Sequence, residues 1–157
     1  MSVIVDYNFG LKTVETFDPI DGTNQLRLNF NEYEFSGRLD ADSTPAATKA
    51  CYLGITPTGS GTLDLTMLTG PIGTTVDATG LKLLAIRIRN SGTGTFTLAV
   101  GGTNGYTIPN TIAVGAGCVA QAYFADTLTA ITGTEKELDY SIASGDPEVE
   151  LTFIFGS

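Results

Sequence analysis

Residues 81–100 read Leu-Lys-Leu-Leu-Ala-Ile-Arg-Ile-Arg-Asn-Ser-Gly-Thr-Gly-Thr-Phe-Thr-Leu-Ala-Val. In the first half Leu84, Ile86 and Ile88 share one parity, and Ala85, Arg87 and Arg89 share the other. In the second half Phe96, Leu98 and Val100 alternate with Thr95, Thr97 and Ala99. Successive side chains of an extended chain point to opposite faces, so each half reads as a strand with one buried face. Between them lies Ser91-Gly92-Thr93-Gly94. Its glycines can take the positive φ of a tight connection, and the spacing predicts a β-hairpin.

The same alternation runs through most of the chain. Residues 3–9 form a first strand or an arm, and 11–17 a second short strand. Leu26, Leu28 and Phe30 alternate with polar residues, as do Tyr33 and Phe35. Asn31 between them predicts one bent strand or two short ones joined by a bulge. Residues 38–49 are small and polar and read as an exposed loop, with a strand at 50–55. Leu63, Leu65 and Met67 share one side of a strand over 62–68, and 74–78 is a short strand. Asn104-Gly105 is a hairpin signal, with strands expected at 106–108, 111–114 and 119–124. Leu138, Tyr140 and Ile142 are expected inward. So are Val149, Leu151, Phe153 and Phe155, with Glu148, Glu150 and Thr152 outward. No segment sustains a helical period. Many short strands divided by turns predict an all-β fold, an antiparallel β-sandwich of jelly-roll type with two four-stranded sheets. Residues 1–157 fit one such domain, with residues 1–10 an N-terminal arm or edge strand.

Charge narrows the function. The net charge is −9, which argues against bare nucleic acid as a partner, because phosphate binding needs a basic surface. Only residues 61–100 are not acidic: Asp64 and Asp77 face Lys82, Arg87 and Arg89. Charged residues are 16% of the chain, against about 25% in an ordinary soluble domain. A surface of small polar groups is cheap to dehydrate and suits permanent protein contacts. Cys51 and Cys118 read as small buried apolar residues rather than a disulfide framework. The start, Met-Ser-Val-Ile-Val-Asp, has no signal-peptide pattern, and no apolar run approaches a membrane span. Synthesis and folding in a cytoplasm are expected.

The chain has no histidine and no tryptophan. The commonest general base, the Ser-His triads and the usual zinc sites are thereby excluded. Carboxylate pairs are the remaining catalytic option. Glu135, Glu137 and Asp139 share a parity, as do Glu148 and Glu150, but both rows fall on outward faces and read as solvated charge. The segment 18–24, Asp-x-x-Asp-Gly-x-Asn, lacks the acid spacing of an EF-hand and reads as an Asx-stabilised turn. Hence no enzyme activity, cofactor or metal is expected.

Arg87 and Arg89 sit two apart, the spacing also found in the two acidic rows. The rows are expected to meet, either across strands of one sheet or between subunits. Arg87, Arg89, Glu137, Asp139, Glu148 and Glu150 are therefore the candidate assembly contacts.

Three segments carry a resemblance: Leu63-Asp64-Leu65-Thr66-Met67-Leu68-Thr69-Gly70, then Val76-Asp77-Ala78-Thr79-Gly80-Leu81-Lys82-Leu83, then Ile86-Arg87-Ile88-Arg89-Asn90. With the Gly- and Thr-rich residues 115–157, they resemble small structural proteins of tailed bacteriophages, above all capsid decoration (cement) proteins. The likeness spans residues 61–157. It implies a β-sandwich on the outer capsid surface that bridges capsomers, often as a homotrimer, with the major capsid protein as partner and the virion as location. It implies no catalytic residues. Two alternatives stand beside it: a glycan-binding tail fibre or baseplate module, which an exposed cluster of tyrosines such as Tyr33, Tyr52, Tyr106, Tyr123 and Tyr140 would favour although most of them read as core by parity, and a jelly-roll shell protein.

Overall fold

The computed structural model describes residues 3–17, 26–70, 73–125 and 127–157; the 18–24 turn and Pro71-Ile72 lie outside them. Among the described residues there are twelve strands and no helix, which makes the chain an all-β antiparallel sandwich. β1 (Val5–Phe17) pairs with β2 (Leu26–Leu39) in a separate two-stranded sheet. Its register moves from Leu11↔Tyr33 to Thr13↔Phe30, so β2 is one unbroken strand with an extra residue at Asn31 and Glu32. The N-terminal element is therefore half of a ribbon, not an edge strand of the sandwich.

The sandwich itself is built from β3 (Ala47–Ile55), β4 (Gly61–Asp64), β7 (Lys82–Asn90), β8 (Phe96–Val100), β9 (Ile112–Val114), β10 (Val119–Tyr123), β11 (Glu137–Ile142) and β12 (Val149–Gly156). A small pair, β5 (Leu68–Thr69) and β6 (Thr75–Val76), sits between β4 and β7 in the chain. The pairings are nested: β3 with β12, β4 with β11, β7 with β10, β8 with β9. Two further pairings, β12–β7 and β11–β8, join these four ribbons into two sheets. Sheet I has the order β10-β7-β12-β3 and sheet II the order β4-β11-β8-β9. A long ribbon of paired strands rolled onto itself is a jelly roll.

This corrects the expected central hairpin. β7 and β8 are both strands, but they belong to opposite sheets, and residues 91–95 carry the chain across the sandwich. Each strand buries one face, and alternation alone cannot tell a hairpin from two facing strands. Asn90 ties the crossing to the sandwich. It is fully buried, and its Nδ2 donates to Gly94 O at 3.0 Å and Val114 O at 3.1 Å. Asn104-Gly105 does not form a two-residue turn either; β8 and β9 are joined by the long 101–111 segment. That segment inserts Tyr106, fully buried, between the sheets. Its hydroxyl donates to Thr129 O at 2.8 Å and accepts from Leu83 N at 3.2 Å.

The core lies between the sheets. β12 supplies Val149, Leu151, Phe153 and Phe155, and β7 supplies Leu83, Ile86 and Ile88. Sheet II answers with Phe96, Leu98, Val114 and Leu138. Leu84 departs from the expected parity. Opposite β12 the register passes from Ala85 to Leu83, so Leu84 is a bulge and turns to the outer face. There it joins Leu39, Ala47 and Ile154 in a second small core at the end of β2.

Candidate assembly surface

Three local structures shape the surface. Asp64 Oδ1 accepts from Thr66 N at 2.8 Å and Thr66 Oγ1 at 2.6 Å, and Asp77 Oδ1 accepts from Thr79 N and Oγ1 at the same two distances. These are two copies of one Asp-x-Thr turn. Their central residues, Leu65 and Ala78, are fully buried and joined by Ala78 N donating to Leu65 O at 3.1 Å. The first turn ends β4 at Asp64, earlier than the expected strand over 62–68. Met67 is consequently 69% exposed instead of facing inward with Leu65. Thr79 holds the Asp77 carboxyl below the usual carboxylate range. Burial raises the Asp64 carboxyl, but Lys136 and Thr66 outweigh it and hold it low.

The outer face of sheet I carries the arginines. Tyr52, Thr152, Arg87 and Gln121 form one row across its four strands, and Gly54, Glu150, Arg89 and Val119 form the next. Arg89 pairs with Glu150 at 3.3 Å, the one contact between an arginine and the acidic rows among the described residues. Arg87 faces Thr152 and Gln121 and makes no ion pair among the described residues. Glu148 precedes β12 and is exposed, and the group it uses is its carbonyl, which accepts from Ser91 N at 2.8 Å. Tyr52, 41% exposed, and Val119, 49% exposed, stand at the two ends of these rows. Partial burial and then Glu150 raise the Tyr52 phenol above its ordinary value.

The other acidic row lies on sheet II, which answers the intrachain half of the expectation: it does not meet Arg87 or Arg89 within one molecule. Glu135 lies before β11, and the row proper is Glu137 and Asp139. Asp139 accepts from Thr62 Oγ1 at 2.6 Å and Gly102 N at 3.0 Å. Glu137 accepts from Asn104 N at 3.3 Å and Asn104 Nδ2 at 3.4 Å. These donors are neutral, so the two negative charges stay uncompensated by them. Around them the face carries small side chains, with Thr62 and Ala99 beside Asp139 in one row and Ser141, Thr97 and Ala113 in another. Lys136 is bound to Asp64.

Between the edges of β3 and β4 runs a groove of about 640 Å³, with Tyr52, Ile55, Asp64 and Met67 among its lining. Of the candidate tyrosines, Tyr106 is buried, Tyr123 and Tyr140 are half-buried and Tyr52 is exposed; the side chain of Tyr33 lies outside those described. Among the described residues no three acidic or cysteine side chains gather as metal ligands. Both cysteines are free; Cys51 is buried, as expected, but Cys118 is exposed in the turn before β10. Burial raises the Cys51 thiol. The paired Asp-x-Thr turns escaped the sequence reading, although the repeat of the tripeptide was visible in it.

No family model matches the chain, and no curated protein or solved structure shows significant similarity to it.

Proposed function

We propose that this protein is a non-enzymatic structural subunit of a phage virion. It decorates the outer capsid surface, binds the major capsid protein and stabilises the shell by bridging capsomers. The observation that carries this reading is the outer face of sheet I. Beyond the part covered by Leu39 it is an outward surface held by four paired strands, with Tyr52, Arg89, Val119 and Gln121 exposed, and Arg87, half-buried, lies on it without an ion-pair partner among the described residues. A preformed face with an uncompensated cation favours protein contact, since little ordering cost remains and a burial site for the charge is left open. Assembly on a shell repeats that contact many times, so modest individual contacts add up through avidity. Asp139 and Glu137 accept hydrogen bonds from neighbouring loops and strands, a structural use of carboxylates.

The test is reconstitution. Purified chain is added to phage particles that lack it, and the particles are imaged and heated. Regular extra density over capsomer junctions and a higher temperature of genome release are expected. Absence of binding at tens of micromolar, or closed shells formed by the chain alone, would overturn the reading. The groove beside Tyr52 favours a second reading, a tail module that binds a host glycan. Retention of a glycan on an array, lost in Tyr52→Ala, would select it.

A further inference from the structure

We propose that a second copy of this chain docks its acidic sheet II face onto the sheet I face carrying Arg87 and Arg89, in a head-to-tail contact. The inference rests on the assembly reading above and names one partner of that surface.

Charge decides the pairing. Arg87 and Arg89 are two apart on β7, and Glu137 and Asp139 are two apart on β11, so both rows repeat at about 6.6–6.8 Å along their strands. Sheets that pack face to face keep their strands within about 30°, which lets two such rows lie over one another. Pairing the sheet I face with itself would gather four arginines against two Glu150 carboxylates, a surplus of positive charge. Pairing the sheet II face with itself would oppose carboxylate to carboxylate. Only the unlike pairing removes both penalties.

Each face also has what the other lacks. Glu150 neutralises Arg89 in part but leaves Arg87 without an anion among the described residues. On the other face Glu137 and Asp139 receive neutral donors, while the Lys136 ammonium is bound to Asp64 and acts on Glu137 only as a weaker neighbour. Tyr52 and Val119 are exposed at the ends of the arginine rows, and the acids are flanked by Thr62, Ala99 and Thr97. A head-to-tail contact uses different surfaces on its two members, so it closes into a ring or continues as a filament.

The experiment is sedimentation velocity of the full chain at 50 mM and 500 mM salt, with the variant Arg87→Glu/Arg89→Glu. The wild type is expected to associate at low salt and to weaken at high salt as the Debye length shortens. The variant is expected to lose at least about 100-fold in association constant. The gentler Glu137→Gln/Asp139→Asn removes charge while keeping an amide oxygen for Thr62, Gly102 and Asn104, and should weaken association in the same direction. Mixing gives the sharpest outcome. The arginine variant keeps a native acidic face, so it should cap wild-type oligomers and reduce their mean size. A monomeric wild type, a variant that associates normally, or a variant that stays free in the mixture would each overturn the contact. Particle binding is measured separately. A chain that still binds capsids without self-association sinks this inference alone. A chain that self-associates through these faces but ignores capsids sinks the decoration reading alone.

Discussion

Sheet I and sheet II bury the same kind of side chain and expose different kinds. Inside, Phe153 stacks near Phe155 at 6.0 Å in sheet I, and Phe96 of sheet II stacks on Tyr140 at 5.9 Å. Both inner faces are aromatic and aliphatic, because each must exclude water from the same shared layer. Outside, no common layer imposes a common solution. Sheet I carries two arginines and a tyrosine, and sheet II carries carboxylates set among small residues. The inner faces therefore report how the chain folds, and the outer faces report what it meets.

The largest expected effect tests whether the inner faces are equivalent. Phe153→Ala and Phe96→Ala should each cost about 3–5 kcal/mol in urea unfolding, since both side chains are fully buried. A cost below about 1 kcal/mol in one of them would show that the two sheets do not share the core equally. Next comes the crossing between sheets. Gly94 has φ +82°, and a Cβ there would sit 1.6 Å from Ser144 O; Gly73 has φ +75° with open space around it. Gly94→Ala should cost about 3 kcal/mol or more through backbone displacement. Gly73→Ala should cost only the left-handed penalty of about 1–2 kcal/mol. Equal losses would remove the close approach as the reason for glycine at 94.

Tyr106→Phe comes third. It orphans Leu83 N in sheet I and Thr129 O, and should cost about 1–3 kcal/mol with the ring still packed. The fourth effect is the pH dependence of the Asp64–Lys136 pair on the sheet II side. Asp64 has a lowered folded pKa. Its contribution is therefore present above the unfolded value of about 3.9 and fades as pH falls through the folded value. Lys136 has a raised folded pKa, chiefly from Asp64. Its contribution is present below its unfolded value of about 10.4 and fades as pH rises through the folded value. Lys136→Met should flatten both limbs of a stability–pH curve, and unchanged limbs would separate the pair from stability. The smallest effect belongs to sheet I. Arg89→Ala should change stability by about 1 kcal/mol or less, because Arg89–Glu150 is a surface ion pair. A larger loss would mean that the outer face of sheet I is part of the fold and not only of its contacts.

The strand content and the inward sets of β11 and β12 were legible because alternation is local. Leu138 and the row Val149, Leu151, Phe153 and Phe155 are buried as their parity required. Leu84 and Met67 defeated the same argument for separate reasons. One bulge reverses parity at Leu84, and an Asp-x-Thr turn ends the strand before Met67. At the candidate surface, the outward direction of the arginines and of Glu137 and Asp139 could be read from parity, whereas their distribution over two sheets could not. Arg89 and Glu150 are 61 positions apart, and only the β7–β12 register makes them neighbours.

By itself the sequence determined that the chain forms strands, which side of most strands is apolar, and that histidine-dependent chemistry is absent. The tertiary structure alone decided that residues 91–95 cross the sandwich, that Tyr106 fills it, and that the Arg87/Arg89 row and the Glu137/Asp139 row stand on opposite outer faces while Glu150 joins the arginines. The physical reason is range. Alternation is a property of neighbouring residues, while sheet membership is settled by pairings between distant segments competing to bury one common core.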